Sequence, residues 1–290
     1  MDILKAKTVK IKISASELKK IEKVALKAVM LAGDSLLSNA QKISSLTLTF
    51  KEGQGVASSA DLQSEKIIFD YIGKYFPHHQ FLSEEANSNV DFTAYSRIFK
   101  KGFHWIIDPL DGTNNFLNGF EHYCISAALC LDGITILGIV YAPASGELYV
   151  AIKDQGTRYK KSLHEKKITR SWPNKNHKKI EECLFVADLS SFRKTPDQFR
   201  EKFHKLHNLS RGVRRLGSAT LDMCLVSRGI MDCFWQFYLF PWDQAAATLI
   251  CQEAGVKVTD VFGQKISPMS TSVLAAREPL YRKVSDILKN

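Results

Sequence analysis

Asp108-Pro109-Leu110-Asp111-Gly112-Thr113 follows the apolar run His104-Trp105-Ile106-Ile107. Pro109 has no N–H to give to a central ladder, so the spacing predicts that the strand ends at Asp108 and a turn begins. Two carboxylates three apart cannot share one face of a strand, where the period is two, but a turn can fold both toward one point and add the Leu110 carbonyl. That gives an all-oxygen, doubly anionic cluster of the kind that hard divalent cations such as magnesium prefer. Gly112 permits close backbone approach, and a helix starting at Thr113 or Asn114 would turn free N–H groups toward an anion. Cations beside an amide cradle make a phosphate site; the same hexapeptide is also good turn chemistry with no ligand at all. Glu84 in Ser83-Glu84-Glu85 and Asp243 after Trp242 extend the carboxylate set. Asp243 beside Pro241 reads equally as a helix N-cap.

A covalent route is disfavoured. Enzymes that form an aspartyl-phosphate separate their two aspartates by a single residue, whereas Pro109 and Leu110 both intervene here. The chain has no Cys-x5-Arg loop, no Gly-x4-Gly-Lys loop and no Gly-x-Ser-x-Gly elbow, which leaves water as the nucleophile. His78-His79 after Pro77 reads as a polar loop pair rather than a metal site, since an oxygen cluster needs no imidazole. Phe234-Trp235-Gln236-Phe237-Tyr238 reads as a buried strand rather than a base-stacking platform.

The elements that must position these residues show as periodicities. Ser14 with Glu17 is a capping box before an amphipathic helix carrying Leu18, Ile21, Ala25, Ala28 and Ala32. Asp61 opens a second helical pattern with Ile68, Ile72 and Phe76 on one face, stopped by Pro77. Strand-like pieces follow at 105–107, 124–131, 134–141 and 148–152, separated by Asp132-Gly133 and Ser145-Gly146 turns. The second half reads as a strand at 183–187 and a helix capped by Thr195 with Phe199, Phe203 and Leu206 on one face. A helix at 218–228, a strand at 233–237, a helix at 242–254 and a strand at 256–261 complete it. The expected fold class is α/β, with α+β elements in stacked layers. Residues 1–290 are expected to form one catalytic unit, with approximate halves 1–179 and 180–290 meeting at the basic stretch near 153–179.

With 290 residues, 45% hydrophobic and 24% charged, the chain is of ordinary globular composition. Its net charge of +10 suggests an anionic partner. The excess lies in residues 1–27 (+5), 153–179 (+8) and 193–215 (+6), so the remaining chain carries −9. The proposed ligands fall in that acidic remainder. No apolar signal core or membrane-length run is visible, so a soluble, cytoplasmic protein is expected. Six cysteines without a Cys-x-x-Cys pair read as buried free thiols.

Residues 105–116 resemble the first signature of the inositol monophosphatase family, the magnesium-dependent, lithium-sensitive phosphatases. Trp242-Asp243-Gln244-Ala245-Ala246-Ala247 through Glu253-Ala254-Gly255 resembles the second. Ser83-Glu84-Glu85 is similar to the family's Gly-Glu-Glu with Ser in first place, and Gly217-Ser218-Ala219 to its Gly-Ser-Ala segment. The resemblance spans about residues 14 to 276 and implies an αβαβα sandwich. It implies that Glu84, Asp108, Asp111, Asp243 and the Leu110 carbonyl hold two or three magnesium ions, for which manganese could substitute. Asp61 would sit near a further ion through water. Glu84 and Thr113 would orient the attacking water, with Asp108 also counted as catalytic, and the Gly112 and Thr113 amides would bind phosphate. Ser191, Gly217, Ser218, Ala219 and Gln236 would contact the substrate.

The chain departs from that pattern in places. Gln236 stands where inositol phosphatases place a Glu that accepts from ring hydroxyls. Of the family's Asp-x-Val-Thr-x-x-Asp segment only Asp61 is retained. The implied function is hydrolysis of a small polyol or sugar phosphate by a homodimer without membrane attachment. Histidinol phosphate, fructose bisphosphate, phosphoadenosine phosphate and NADP are alternative substrates. The basic stretches raise a second class, RNA or nucleoprotein binding, although no complete RNA-binding signature is present.

Overall fold

The structure, a computed structural model, describes residues 13–51, 55–87, 99, 101–162, 169, 179–188 and 197–289. Its first helix, α1 (Ala15–Ala40), is capped by the Ser14 hydroxyl, which accepts from the Glu17 N–H at 3.1 Å. It buries Leu18, Ile21, Ala25, Ala28 and Ala32, the face set by the steps of three and four. A short antiparallel ribbon, β1 (Leu48–Lys51) with β2 (Gly55–Ser58), leads into α2 (Ser59–Tyr75). The helix begins before Asp61: Ser58 is its N-cap, and the Asp61 carboxylate accepts the Ser58 N–H in return.

Six strands then form one sheet in sequence order: β3 (Gln80–Ser83), β4 (Phe103–Asp111), β5 (Cys124–Leu131), β6 (Ile134–Ala142), β7 (Glu147–Ile152) and β8 (Thr157–Lys160). Only β3 and β4 run parallel. The short helix α3 (Thr113–Leu117) follows β4. Beyond come β9 (Leu184–Asp188), α4 (Asp197–Leu209), β10 (Gly212–Arg214), α5 (Ala219–Ser227), β11 (Cys233–Phe237), α6 (Pro241–Glu253), β12 (Lys257–Thr259), β13 (Ser272–Ala276) and α7 (Leu280–Lys289). Their strands form a second sheet in the order β10-β9-β11-β13-β12.

Three apolar cores hold five layers together, the middle one enclosing the central helices on both sides. α1 and α2 cover one face of the first sheet, α5 and α6 lie between the sheets, and α4 and α7 cover the outer face of the second. The protein is thus an αβαβα sandwich. β5 shows how one strand serves two cores: Ile125, Ala127 and Leu129 pack toward α1 and α2, while Cys124, Ala128 and Cys130 face the middle layer. The middle core joins Leu82, Ile106 and Tyr149 with Val186, Phe234 and Leu249 from the second half of the chain. β11 is fully buried, with Trp235 and Phe237 in the outer core and Phe234 in the middle one. All six cysteines are free and buried. No helix among the described residues is long and apolar enough to cross a membrane.

The strand holding the paired aspartates does not end at Asp108; β4 continues through Pro109 to Asp111. β1, β2, β3, β8, β10, β13 and α7 have no counterpart among the expected elements. The buried Ser-Val-Leu-Ala-Ala of β13 offers no polar alternation to read, because both its faces are covered. Thr195 and most of the basic stretch at 153–179 lie outside the described residues.

Packing of α6 on the first sheet depends on Gly138 of β6, where an added Cβ would stand 2.7 Å from the Ala246 carbonyl oxygen. Gly138→Ala is expected to destabilise the fold by about 1–3 kcal/mol, since backbone and not a flexible side chain must move. Urea unfolding would show this as a lower midpoint at unchanged slope, and an unaltered midpoint would refute it.

Candidate active site

Between Asp108 and Asp111 the pairing of β4 with β5 shifts register: Asp108 lies opposite Ser126, and Asp111 opposite Cys124. Three steps along β4 therefore match two along β5, and this bulge cancels the odd spacing that would send the two carboxylates to opposite faces. Pro109 fits there because a bulged residue owes no ladder N–H. The Asp108 Oδ1 accepts the Leu110 N–H at 3.0 Å, and Ser64 of α2 donates to the Pro109 carbonyl at 2.8 Å, fixing the bulge from within and behind.

Cys124 belongs to the middle core, so this side of β4 meets the layer in which α5 and α6 begin. Asp111 Oδ2 accepts the Ser218 hydroxyl at 2.7 Å and the Thr220 N–H at 2.8 Å, the latter from the first turn of α5. Asp243 lies in the first turn of α6, where its Oδ2 accepts the Phe240 N–H at 2.7 Å. The N-cap position itself is Phe240, so Asp243 is not the N-cap the sequence allowed; it braces the helix start from N3 and also lines the cavity. The Ser126 hydroxyl donates to the Trp242 carbonyl at 3.2 Å, and Thr220 donates to the Asp243 carbonyl at 2.8 Å, stitching β5, α5 and α6 together.

Gly112 takes a left-handed conformation, φ +95°, and a Cβ there would stand 3.0 Å from the His122 carbonyl. The chain then turns directly into α3, so the N–H groups of its first turn have no helical acceptor of their own. The Thr113 Oγ1 lies 2.9 Å from Asp61 Oδ1 and 3.0 Å from the Leu110 carbonyl, and the buried Asp61 takes Ser58 donors on its other oxygen.

Glu84, Asp108, Leu110, Asp111, Gly112, Thr113 and Asp243 line one cavity of about 160 Å³, together with Val56, Asn114 and Gly217. None of these is Lys, Arg or His. Burial, joined by the charges of Glu84, Asp111 and Asp243, pushes the Asp108 carboxyl well above its ordinary range. Burial and Asp111 do the same to Asp243. Asp111 is raised by burial and partly relieved by Ser218 and Thr220, and Asp61 is raised by burial against the opposing Ser58 and Thr113 hydrogen bonds. Oxygen donors only, high negative charge and no internal counter-cation suit a hard divalent ion. As the side chains lie, no three His, Cys, Asp or Glu residues among the described residues converge closely enough to enclose one.

Other candidates fall elsewhere. Ser218 is buried and holds Asp111 while capping α5, and it is not part of the cavity wall. Ala219 packs against the middle core. Gln236 is buried in β11 opposite Asp188 and Val273, outside the lining residues. Gly217 does line the cavity, at φ +86° against the Asn115 amide. Ser191 lies outside the described residues.

Two tertiary ties went unread: the Asn115 side-chain amide donates to the carbonyls of His122 and Leu216, both at 2.7 Å, and His122 pairs with Asp222 at 2.8 Å. Burial raises Asp222 to about 7. The Asn115–Leu216 and His122–Asp222 contacts join residues about a hundred apart, which no local pattern announces. His79 is not a solvated loop residue: it accepts from the Trp105 indole at 3.1 Å and stacks against Phe76 and Phe103.

A five-layer sandwich with an all-oxygen, anionic site where strand and helix ends meet defines the class. Residues 17–288 match the inositol monophosphatase family, and the chain belongs to it. It is 32% identical to an inositol-1-monophosphatase of Mesorhizobium japonicum over 267 residues, covering 92% of this chain and 95% of that one. It is 30% identical to the Nus factor SuhB of Vibrio cholerae over 259 residues, covering 87% and 90%. The crystal structure of the extragenic suppressor protein suhB from Bartonella henselae superposes with a TM-score of 0.80 at 28% identity, over 93% of this chain and 99% of that one.

Asp108→Asn keeps an acceptor for the Leu110 N–H and removes the charge. Because the folded chain holds the Asp108 proton to a pH above the ordinary 3.8, the carboxylate's burden on stability grows as pH rises past that value. In EDTA, the variant is therefore expected to melt above wild type at about pH 8, with the gap closing toward pH 4. Equal melting temperatures at about pH 8 would contradict the repulsion.

Proposed function

We propose that the protein is a magnesium-dependent phosphomonoesterase that hydrolyses a small polyol or sugar phosphate, of the inositol monophosphate kind, by direct attack of water. The observation that carries this is the cavity itself, walled by Glu84, Asp108, Asp111 and Asp243 with no side-chain cation. Those four carboxylates and the Leu110 carbonyl would hold the ions, with Asp61 behind Thr113; manganese could take magnesium's place. Bound there, magnesium would supply Lewis-acid neutralisation of the phosphoryl and leaving-group charge.

The protein's own groups do the positioning. Glu84 and the Thr113 hydroxyl orient the attacking water, and Asp61 and the Leu110 carbonyl hold that hydroxyl in place. The Gly112 and Thr113 amides take a phosphate oxygen, since the left-handed Gly112 lets substrate approach the backbone closely. Gly217, which lines the same cavity, would contact the substrate. Histidinol phosphate, fructose bisphosphate, phosphoadenosine phosphate and NADP share the same ester chemistry. The family resemblance favours a cytoplasmic homodimer.

A panel of these esters, assayed for phosphate release with and without magnesium, tests the reading. Asp108→Asn and Asp243→Asn are each expected to lower kcat/KM by at least about 100-fold, and lithium should inhibit the wild type. Phosphate release that is unchanged by EDTA or by Asp108→Asn would overturn it.

A nucleoprotein-binding role is a second reading, favoured by the name of the Vibrio cholerae relative and by the three basic stretches. Filter binding of RNA across a salt series should show a steep fall of affinity with salt if phosphates are contacted. Absence of retention at low salt ends this second reading.

A further inference from the structure

α2 presents Asp61, Ser64 and Glu65 to the site region at positions i, i+3 and i+4, which share one helix face. Asp61 holds Thr113 and Ser64 holds the Pro109 carbonyl. Glu65 grips a third piece. Its buried Oε2 accepts the Ser83 hydroxyl and, at 3.3 Å, the Ala86 N–H, so one carboxylate oxygen brackets Glu84 and Glu85 from both sides.

Further contacts hold the turn that carries Glu84. The Ser83 N–H donates to the Asn87 side chain at 2.9 Å, the Asn87 N–H returns to the Ser83 carbonyl at 3.1 Å, and the Glu84 N–H reaches the Ile107 carbonyl at 3.3 Å. Only the last of these fixes the turn to another element, and it acts through the backbone. Ser83 occupies the place where the resembled signature has glycine, and a glycine could not make the hydroxyl bond to Glu65.

We infer that Glu65 is a positioning residue for Glu84: through Ser83 and Ala86 it anchors the Glu84–Glu85 turn to the same helix that holds Thr113 and the aspartate bulge. The inference rests on the reading of Glu84 as a ligand of a divalent cation. It assigns α2 a single task, to hold three separate segments of the site in register. What matters in this role is the acceptor, not the charge. Removing the acceptor leaves the Ser83 hydroxyl and the Ala86 N–H without their buried partner, and the turn must rearrange to satisfy them.

The test is Mn²⁺ binding by the full chain, read as loss of the free-ion EPR signal, alongside thermal melting in EDTA. Glu65→Ala is expected to weaken Mn²⁺ binding about 10–100-fold, the range seen when outer-shell partners of metal sites are removed. Glu65→Gln retains an acceptor and should stay within about threefold of wild type, whereas a purely electrostatic effect would weaken both variants alike. Ser83→Ala deletes only the hydroxyl and reads the same tie if Glu65→Ala fails to fold; a loss of about 3–10-fold is expected there. Wild-type affinity in a folded Glu65→Ala or Ser83→Ala variant, or equal losses in the Ala and Gln variants, overturns the inference. Absence of Mn²⁺ binding by the wild type would instead remove the proposed function, and this role with it.

Discussion

Packing several carboxylates around one small cavity is unfavourable for the three aspartates among them, and much of the surrounding structure serves to hold these against that repulsion. Each of the three aspartates in the cavity wall has one oxygen tied by a donor from its own turn or from a helix start: Leu110 for Asp108, Ser218 and Thr220 for Asp111, Phe240 for Asp243. The donors are amides and hydroxyls, never Lys or Arg. They fix direction and supply partial positive charge from the α5 and α6 termini without cancelling the charge. The scaffold restrains the carboxylates but leaves their neutralisation to something else.

Layer geometry follows from the same constraint. The β4 bulge turns Asp108 and Asp111 toward the middle layer, and α5 and α6 both start there because their first turns are what the carboxylates need. α2 approaches from the opposite face of the sheet and meets the ends of β3 and β4 through Asp61, Ser64 and Glu65. Neither core alone could form the site, since its walls come from elements packed into both.

Much of this was legible in the chain. The α1 face, the β5 and β6 strands and the helix beginning near Trp242 carry regular periodicity and clear caps, and the structure places them within a residue or so. The carboxylate set could be read from residue type and edge position, and the structure gathers it around one cavity. The bulge could not be read: Pro109 after an apolar run looks like a strand end, and only the register with β5 shows that the strand continues. Ser218 opens the expected helix, but its hydrogen bond to Asp111 joins residues far apart in the chain and has no local signal. Asn115 and the His122–Asp222 pair depend on tertiary proximity alone.

The six thiols have a further consequence. Each is free and enclosed by one of the apolar cores or its border, with burial holding it protonated. No covalent crosslink contributes to the fold, so its stability rests wholly on side-chain packing and hydrogen bonding. The sandwich therefore does not depend on the redox poise of its surroundings: neither glutathione nor an oxidant has a native bond to break or an exposed thiolate to attack.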